Sequence, residues 1–165
     1  MAIEPWLTAL LLGVLGLVFG SFIATLAIRW PQNRSALVGR SQCDGCGKGL
    51  AARELVPVLS FLLQRGRCRG CGAPIHPGHL LTELLGLAIG VGAALATPWT
   101  LVAIAGAVFG WMLLTLAALD LAAYWLPNLL TGALAAIGLA IGLLIELTLG
   151  PLELAPAMDA RLIGG

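Results

Sequence analysis

Long apolar stretches dominate this sequence and limit the folds that it can adopt. Residues 5–28, 84–119 and 121–145 contain no charged residue, and each stretch exceeds the roughly 20 helical residues that cross a bilayer. The second stretch is too long for one crossing, and Thr97, Pro98 and the residues after them divide it into two helices. We therefore predict an all-α polytopic membrane protein with about four transmembrane helices. An apolar fraction of 59% with 10% charged residues supports this class.

The basic residues are concentrated in one segment and predict the orientation of the chain. Eight of the nine lysines and arginines lie between positions 29 and 69. Short loops rich in Lys and Arg stay in the cytoplasm, so we expect a cytoplasmic loop and a periplasmic N-terminus in a bacterial inner membrane. A cleaved signal peptide is the alternative for the first stretch. It is disfavoured because a signal peptide carries its basic residues before the apolar run, and Met1 to Glu4 contain none.

These features predict the organisation of the chain and its packing. The expected segments are a first transmembrane helix, a cytoplasmic cysteine-containing loop, three transmembrane helices, and a periplasmic tail with the start of a truncated fifth helix: residues 1–30, 31–77, 78–150 and 151–165. Gly86 and Gly90, like Gly106 and Gly110, are four residues apart, a spacing that permits close helix contacts. Packing within the chain and a homodimer are both open interpretations of these pairs.

The four cysteines of the chain form two Cys-x-x-Cys-Gly sequences in the predicted loop: Cys43, Cys46, Cys68 and Cys71. Four thiolates at this spacing can converge on one zinc ion, which is structural because no position remains for water. Two disulfides are the competing interpretation, disfavoured by the reducing cytoplasm. Gly47 and Gly72 follow the second cysteine of each pair, where a turn tends to need a positive φ.

The basic residues of the loop have two interpretations. They set the topology and contact the anionic head groups of the lipid bilayer, or they bind nucleic acid. Phe61 is the only aromatic residue between Trp30 and Trp99, so the aromatic residues on which bases stack are missing. We therefore expect a lipid contact and no nucleic-acid partner.

Three carboxylates lie in or beside the apolar stretches: Glu83, Asp120 and Glu146. Ionisable residues at membrane depth are costly and usually functional. Asp120 follows the third predicted helix at the expected cytoplasmic boundary, where it is either a catalytic carboxylate or an acidic residue that ends a helix. The residues alone leave both interpretations open for Asp120. Glu83 is likewise either a carboxylate at a helix end near the cytoplasmic face or a catalytic group, and Glu146 is given no role.

Several short motifs occur in a specific order: Phe19-Gly20-Ser21-Phe22, Arg29-Trp30-Pro31, the two cysteine pairs, Val56-Pro57-Val58-Leu59-Ser60-Phe61, Arg65-Gly66-Arg67-Cys68 and Thr82-Glu83-Leu84-Leu85. In this order and spacing they resemble the N-terminal region of the bacterial type IV prepilin peptidases, which are leader peptidase/N-methyltransferases. The stretch from Asp120 to Leu126 and Pro127 resembles the start of the aspartic peptidase region of that family. Ala24 and Asn128 depart from the family pattern, in which Asn and Asp are usual at these positions.

The resemblance implies a membrane aspartic endopeptidase. Such an enzyme cleaves the leader peptides of type IV prepilins and pseudopilins on the cytoplasmic side, and many members then methylate the new N-terminus with S-adenosylmethionine. Asp120 matches the first of two catalytic aspartates, and the four cysteines match the metal-type cysteines of the family. No residue matches the second aspartate, which follows a Gly on a later helix, so a C-terminally truncated enzyme is expected. A non-catalytic relative that binds prepilins or secretion machinery through the zinc loop is the alternative.

Overall fold

The fold is described by a computed structural model over residues 4–36, 41–43 and 45–149. These residues form the helices α1 (Pro5–Arg29), α2 (Leu59–Leu63), α3 (Gly78–Ala96), α4 (Thr100–Ala123) and α5 (Asn128–Leu149). Three segments, Pro5–Gln32, Gly78–Ala96 and Thr100–Ala123, are long and apolar enough to cross a membrane, and α5 is apolar over Asn128–Leu144. The predicted all-α fold with three to four membrane-capable helices is confirmed, and the described residues contain no strand. The predicted tail at 151–165 lies outside the described residues.

The helix ends follow local sequence signals. α3 ends at Ala96 and α4 begins at Thr100, so the long apolar stretch is divided where the sequence predicted. The stretch 121–145 is not one helix, because α4 continues to Ala123 before α5 begins. Tyr124 ends α4 in the left-handed region at φ 50 and donates its N–H to the Asp120 carbonyl at 2.8 Å. Pro127 then has no N–H with which to continue a helix.

The central packing of the bundle is a glycine-mediated contact between α1 and α3. A Cβ atom placed on Gly16 would lie 2.0 Å from the carbonyl oxygen of Gly86, and one on Gly90 would lie 2.1 Å from the carbonyl oxygen of Leu12. At Gly20 the nearest atom would be the carbonyl oxygen of Thr82, at 2.3 Å. Only residues without a side chain permit backbones this close. Gly86 and Gly90 therefore pack within the chain, one of the two alternatives that the sequence left open.

Helix α4 joins this pair through Trp111. The indole Nε1–H of Trp111 donates a hydrogen bond of 3.0 Å to the Gly86 carbonyl oxygen, and the ring stacks on Phe19 with the centroids 4.8 Å apart. Trp111 thereby uses its only polar atom inside the bundle. The buried core around it consists largely of small side chains, namely Ala94, Ala103 and Ala107. α4 is thus fixed against both α1 and α3.

The outward faces of the bundle are made of large apolar side chains. Leu101 is 82% exposed, Leu121 84% and Leu129 81%. Small residues inside and large apolar residues outside are the arrangement expected of a protein surrounded by lipid. α5 makes its contacts with α4 and is the outermost of these helices. The Cys loop, defined here as residues 41–77, connects α1 with α3 at one end of the bundle.

Candidate functional site

The four cysteines of the Cys loop converge on one point. The sulfur atoms of Cys43, Cys46, Cys68 and Cys71 all lie within 4.8 Å of one another, and all four cysteines are free. The Sγ atoms of Cys43 and Cys71 are 3.8 Å apart. A tetrahedral zinc with Zn–S bonds of about 2.3 Å requires sulfur separations of about 3.8 Å. The cluster can therefore hold a metal ion with the geometry of a structural zinc site.

Two copies of the same turn build this cluster. In the first, Cys43 N–H donates to the Lys48 carbonyl at 3.0 Å and Gly47 N–H donates to the Cys43 carbonyl at 2.8 Å. In the second, the matching bonds run from Cys68 to Ala73 and from Gly72 to Cys68, both at 2.9 Å. A bridge closes each copy, between Gln42 and Gly49 and between Arg67 and Pro74. The internal repeat of the sequence is thus also a repeat of backbone structure.

The glycine after each cysteine pair adopts the conformation that the sequence predicted. Gly47 has φ 69 and Gly72 has φ 72. A residue with a Cβ atom is strained in this left-handed region, whereas glycine enters it freely. Each turn can therefore bring its two cysteines to the same side of the chain.

Amide groups stabilise negative charge on the sulfur atoms. N–H groups of Cys71 and Gly70 lower the pKa of Cys68 to about 6, and the Gly70 N–H lies 3.3 Å from its sulfur. The Ala73 amide also lowers the pKa of Cys71, but the neighbouring Cys46 thiol and burial outweigh it and raise the pKa to about 11. Cys68 and Cys71 thus resist simultaneous ionisation, and a bound cation would favour the thiolate form of both side chains.

A cavity of 280 Å³ lies between the Cys loop and the ends of α1 and α3. Its walls include Arg29 from α1, Phe61 from α2, Gln64 directly after α2, and His76 and Glu83 near the start of α3. The cavity therefore combines basic, acidic, aromatic and amide groups at the boundary of the helical bundle.

Glu83 fastens the Cys loop to the bundle. Its side chain is buried, and its Oε2 atom accepts a hydrogen bond of 2.6 Å from the Val58 N–H. Val58 has φ 61 and ψ −51, and the following Leu59 N–H lies 2.5 Å from the Pro57 carbonyl oxygen. This is a tight three-residue turn with positive φ, a strained arrangement for a β-branched residue. The carboxylate thus holds Val58 in a conformation that valine rarely adopts by itself.

Asp120 lies apart from the cysteine cluster but at the same end of the bundle. Its side chain is exposed near the end of α4. The next two residues, Leu121 and Ala122, line an open cleft of 1010 Å³ whose opposite wall includes Cys43 and His76. Asp120 itself does not line this cleft or the 280 Å³ cavity, as the described residues define them. Asp120 is thus an exposed residue that directly precedes two residues of the cleft wall.

Aromatic contact links this region to α1. The rings of Trp30 and Trp125 meet edge to face with their centroids 5.6 Å apart. Trp30 follows α1 and Trp125 follows α4. The contact therefore joins the segment between α4 and α5 to the segment that follows α1. Glu146 is exposed near the opposite end of α5 and takes no part in either site.

The sequence left Glu83 open between a carboxylate at a helix end and a catalytic group, and it did not identify the partner Val58 or the cavity residue Arg29. The signal for Glu83 was a carboxylate within the predicted membrane region. No local pattern pointed to Val58, because it lies 25 residues from Glu83 in sequence. The cavity residues Arg29, Phe61 and Glu83 come from three separate segments, so only the folded chain brings them together.

Comparison with known proteins identifies the family. The profile of the bacterial peptidase A24 N-terminal domain matches residues 14–97. The chain is 40% identical over 139 residues to a prepilin leader peptidase/N-methyltransferase of Myxococcus xanthus, an alignment that covers 83% of this chain and 42% of that protein. A protein of the same name from Bacillus subtilis is 33% identical over 118 residues, with 72% of this chain and 48% of the relative covered.

A third relative of that name, from Aeromonas hydrophila, is 34% identical over 186 residues, covering 97% of this chain and 62% of the relative. The chain thus spans about half the length of the curated relatives it matches. No solved structure matches. The profile match and these relatives agree with the motif order of the sequence, and the chain belongs to the bacterial A24 peptidase family of prepilin leader peptidases/N-methyltransferases.

Proposed function

We propose that this chain provides one catalytic carboxylate and the metal-binding loop of a membrane aspartic endopeptidase that cleaves leader peptides of type IV prepilins or pseudopilins. The observation that carries the proposal is the exposed Asp120 at the end of α4, next to an open cleft walled by the Cys loop. The names of the relatives supply the substrate class. The cleft provides room for an extended peptide beside the carboxylate.

The orientation of the chain follows from its charges. The basic Cys loop lies on the cytoplasmic side of a bacterial inner membrane, because Lys and Arg in short loops are retained there. Prepilin leaders are basic and cytoplasmic in the family that the sequence resembles. Asp120 and the cleft lie at the loop end of the bundle, which is therefore the end that meets the leader.

The chemistry requires a second carboxylate beside Asp120. When two carboxyl groups share one proton, the pKa of one falls and that of the other rises. The ionised group then takes a proton from water, and the protonated group polarises the carbonyl of the peptide bond. We place Asp120 in one of these two roles. Among the described residues of this chain, none matches the second aspartate of the family.

The Cys cluster serves as a structural zinc site in this proposal. Its four sulfurs leave no coordination position for water or substrate. Cys43, Cys46, Cys68 and Cys71 would hold the ion, which would fix the two turns of the loop and the cleft wall that contains Cys43 and Gly47. Zinc therefore contributes to the shape of the site and not to peptide hydrolysis.

The names of the relatives also include N-methyltransferase, an activity for which S-adenosylmethionine is the methyl donor in the family that the sequence resembles. The 280 Å³ cavity contains the aromatic ring of Phe61, the carboxylate of Glu83 and the guanidinium of Arg29. We propose that the ring, the carboxylate and the guanidinium would meet the aromatic base, the ammonium and the carboxylate of that cofactor, respectively. Phe61, Glu83 and Arg29 would hold it, and it supplies a methyl group when bound. Weaker binding of the cofactor by a Phe61→Leu variant, measured by calorimetry, tests the assignment.

A chimera tests the peptidase proposal. The chain replaces the matching region of the Myxococcus xanthus relative, and cleavage of a purified prepilin is followed in detergent beside Asp120→Asn and Glu146→Gln variants. We expect cleavage by the chimera and by Glu146→Gln, and loss of cleavage in Asp120→Asn. Glu146 is the matched control because its carboxylate is exposed away from the cleft. Equal cleavage by the Asp120→Asn chimera would refute the proposed role of Asp120.

A further inference from the structure

Helix α2 has its apolar and polar faces reversed relative to a helix on the surface of a water-soluble domain. Leu59, Leu62 and Leu63, which share one face at helical spacing, are 53%, 60% and 64% exposed. Ser60, Phe61 and the following Gln64 instead line the 280 Å³ cavity. In water the leucines would face the protein and the polar side chains would face outward. The reversed pattern indicates an apolar environment outside α2.

The position of α2 along the bundle supports this interpretation. α3 has 19 residues and is therefore about 28 Å long, close to the roughly 30 Å of hydrocarbon in a bilayer. Glu83 lies about 7.5 Å along this helix from Gly78, at 1.5 Å per residue. Since Glu83 accepts the hydrogen bond from Val58 N–H, the start of α2 is held at the level of the membrane boundary.

Basic residues flank this apolar face. Arg53 precedes α2, Arg65 and Arg67 follow it, and all three side chains are exposed. Arginine near a membrane surface gains about 1 kcal/mol by attraction to anionic lipid. A leucine face bordered by arginines is the composition of elements that lie in the membrane interface.

We propose that α2 lies in the interface of the lipid bilayer on the loop side, with Leu59, Leu62 and Leu63 inserted at the boundary between head groups and acyl chains. The arginines Arg53, Arg65 and Arg67 contact anionic head groups. The lipid thereby forms the outer support of α2, while the inner face of α2 closes the 280 Å³ cavity. This inference is independent of the peptidase proposal, because it concerns only the surroundings of the Cys loop.

Continuity with the membrane-spanning helices favours lipid over a protein partner for this surface. The same leucine face is followed along the chain by exposed arginines and is joined to α3 through Glu83. A protein partner would bury these leucines without requiring that they lie at the depth of the bilayer. One cross-linking experiment can therefore distinguish lipid from a prepilin, a second copy of the chain or another protein at this surface.

The experiment places a diazirine-bearing leucine analogue at Leu62. The matched control position is Gln64, which directly follows α2 and lines the 280 Å³ cavity. The chain is reconstituted in nanodiscs of phosphatidylethanolamine and phosphatidylglycerol, with and without prepilin, and irradiated. Mass spectrometry then identifies what is attached to the peptide that contains α2. We expect about fivefold more lipid adduct at position 62 than at position 64, whether or not prepilin is present.

Adducts from position 62 to prepilin, to a second copy of the chain or to another protein would overturn the proposal, as would equal lipid labelling at both positions. The analogue is nearly isosteric with the leucine that it replaces at position 62, and a Gln64→Leu variant with unchanged thermal stability checks the control position. Failure of the peptidase proposal would leave the lipid adducts unchanged. The two proposals therefore fail separately.

A second variant tests the same face without cross-linking. In nanodiscs, Leu62→Asp should raise the rate of trypsin cleavage after Arg65 and Arg67 several-fold, because a carboxylate at this depth expels α2 from the lipid. Gln64→Glu is the control, since that side chain faces the cavity. Unchanged cleavage in Leu62→Asp would place the leucine face in water and overturn the proposal.

Discussion

The Cys loop and the helical bundle are stabilised by different means. Among the described residues of the Cys loop, only Cys68 is buried. The conformation of the loop depends on two repeated turns around four sulfur atoms. The bundle instead depends on close backbone contact between α1 and α3 at glycines such as Gly16 and Gly86. A region with little apolar core needs a metal, whereas apolar helices in lipid need close packing. Disrupting each region separately tests this difference.

Removal of the metal should have the largest effect and should be confined to the Cys loop. Metal binding supplies on the order of 10 kcal/mol to small structural sites of this type. In Cys68→Ser, or after chelation, we expect hydrogen exchange of the loop amides to approach that of an unfolded segment. Amides of α4 should remain protected. Loss of protection in α4 at the same metal concentration would contradict the separation of the two regions.

Enlarging a glycine at the α1–α3 contact should affect the bundle and not the loop. In Gly86→Leu the new side chain meets the Gly16 carbonyl oxygen, which lies 2.1 Å from the position of a Cβ atom. We expect the free energy of unfolding to fall by about 3 kcal/mol or more, which is measured as a lower thermal midpoint in detergent. Gly92→Leu, at a position with nothing within 4 Å, is the control on the same helix. Equal midpoints for the two variants would refute the contact.

The hydrogen bond between Glu83 and Val58 joins the Cys loop to the helical bundle. Breaking it should therefore release the loop from the bundle without unfolding either region. Hydrogen bonds to charged groups contribute about 1.5–3 kcal/mol. We expect Glu83→Leu to speed hydrogen exchange of the Val58 amide, whereas Glu83→Gln keeps an acceptor and has a smaller effect. Val58→Gly should partly rescue Glu83→Leu, because glycine adopts positive φ without strain. Additive effects of Glu83→Leu and Val58→Gly would contradict this coupling.

The smallest effect is expected from a single methyl group in the cysteine turn. Gly47→Ala should destabilise the loop by about 1 kcal/mol, because alanine is strained at φ 69. No atom lies within 4 Å of the added group, so the cost is conformational only. Gly49→Ala, without a positive φ, serves as the control. Metal affinity from competition with a chelator reports the difference, and indistinguishable affinities would refute the conformational argument.

Features fixed by neighbouring residues were predictable from the sequence. The spacing of the cysteine pairs predicted a four-sulfur cluster, and the glycines after them predicted the positive φ of Gly47 and Gly72. Thr97 and Pro98 predicted the break between α3 and α4. In each case the signal and the structure lie within a few residues, so no long-range contact was needed.

Features that depend on distant contacts were not predictable. Glu83 was visible as a costly carboxylate, but its partner Val58 became known only from the fold. The reversed faces of α2 were missed because a basic loop suggests a water-exposed segment, and only the cavity reveals which side of the helix faces inward. The catalytic role of Asp120 stays a prediction, since exposure and position beside a cleft support it without testing it.

The most direct test of the account is the location of the bound leader peptide. A prepilin with a photoreactive residue at its cleavage position is incubated with the chain in nanodiscs, irradiated and mapped by mass spectrometry. We expect cross-links to the end of α4 around Leu121 and to the loop near His76, both of which line the open cleft. Cross-links confined to the opposite end of the bundle, around Thr97 or Glu146, would contradict it.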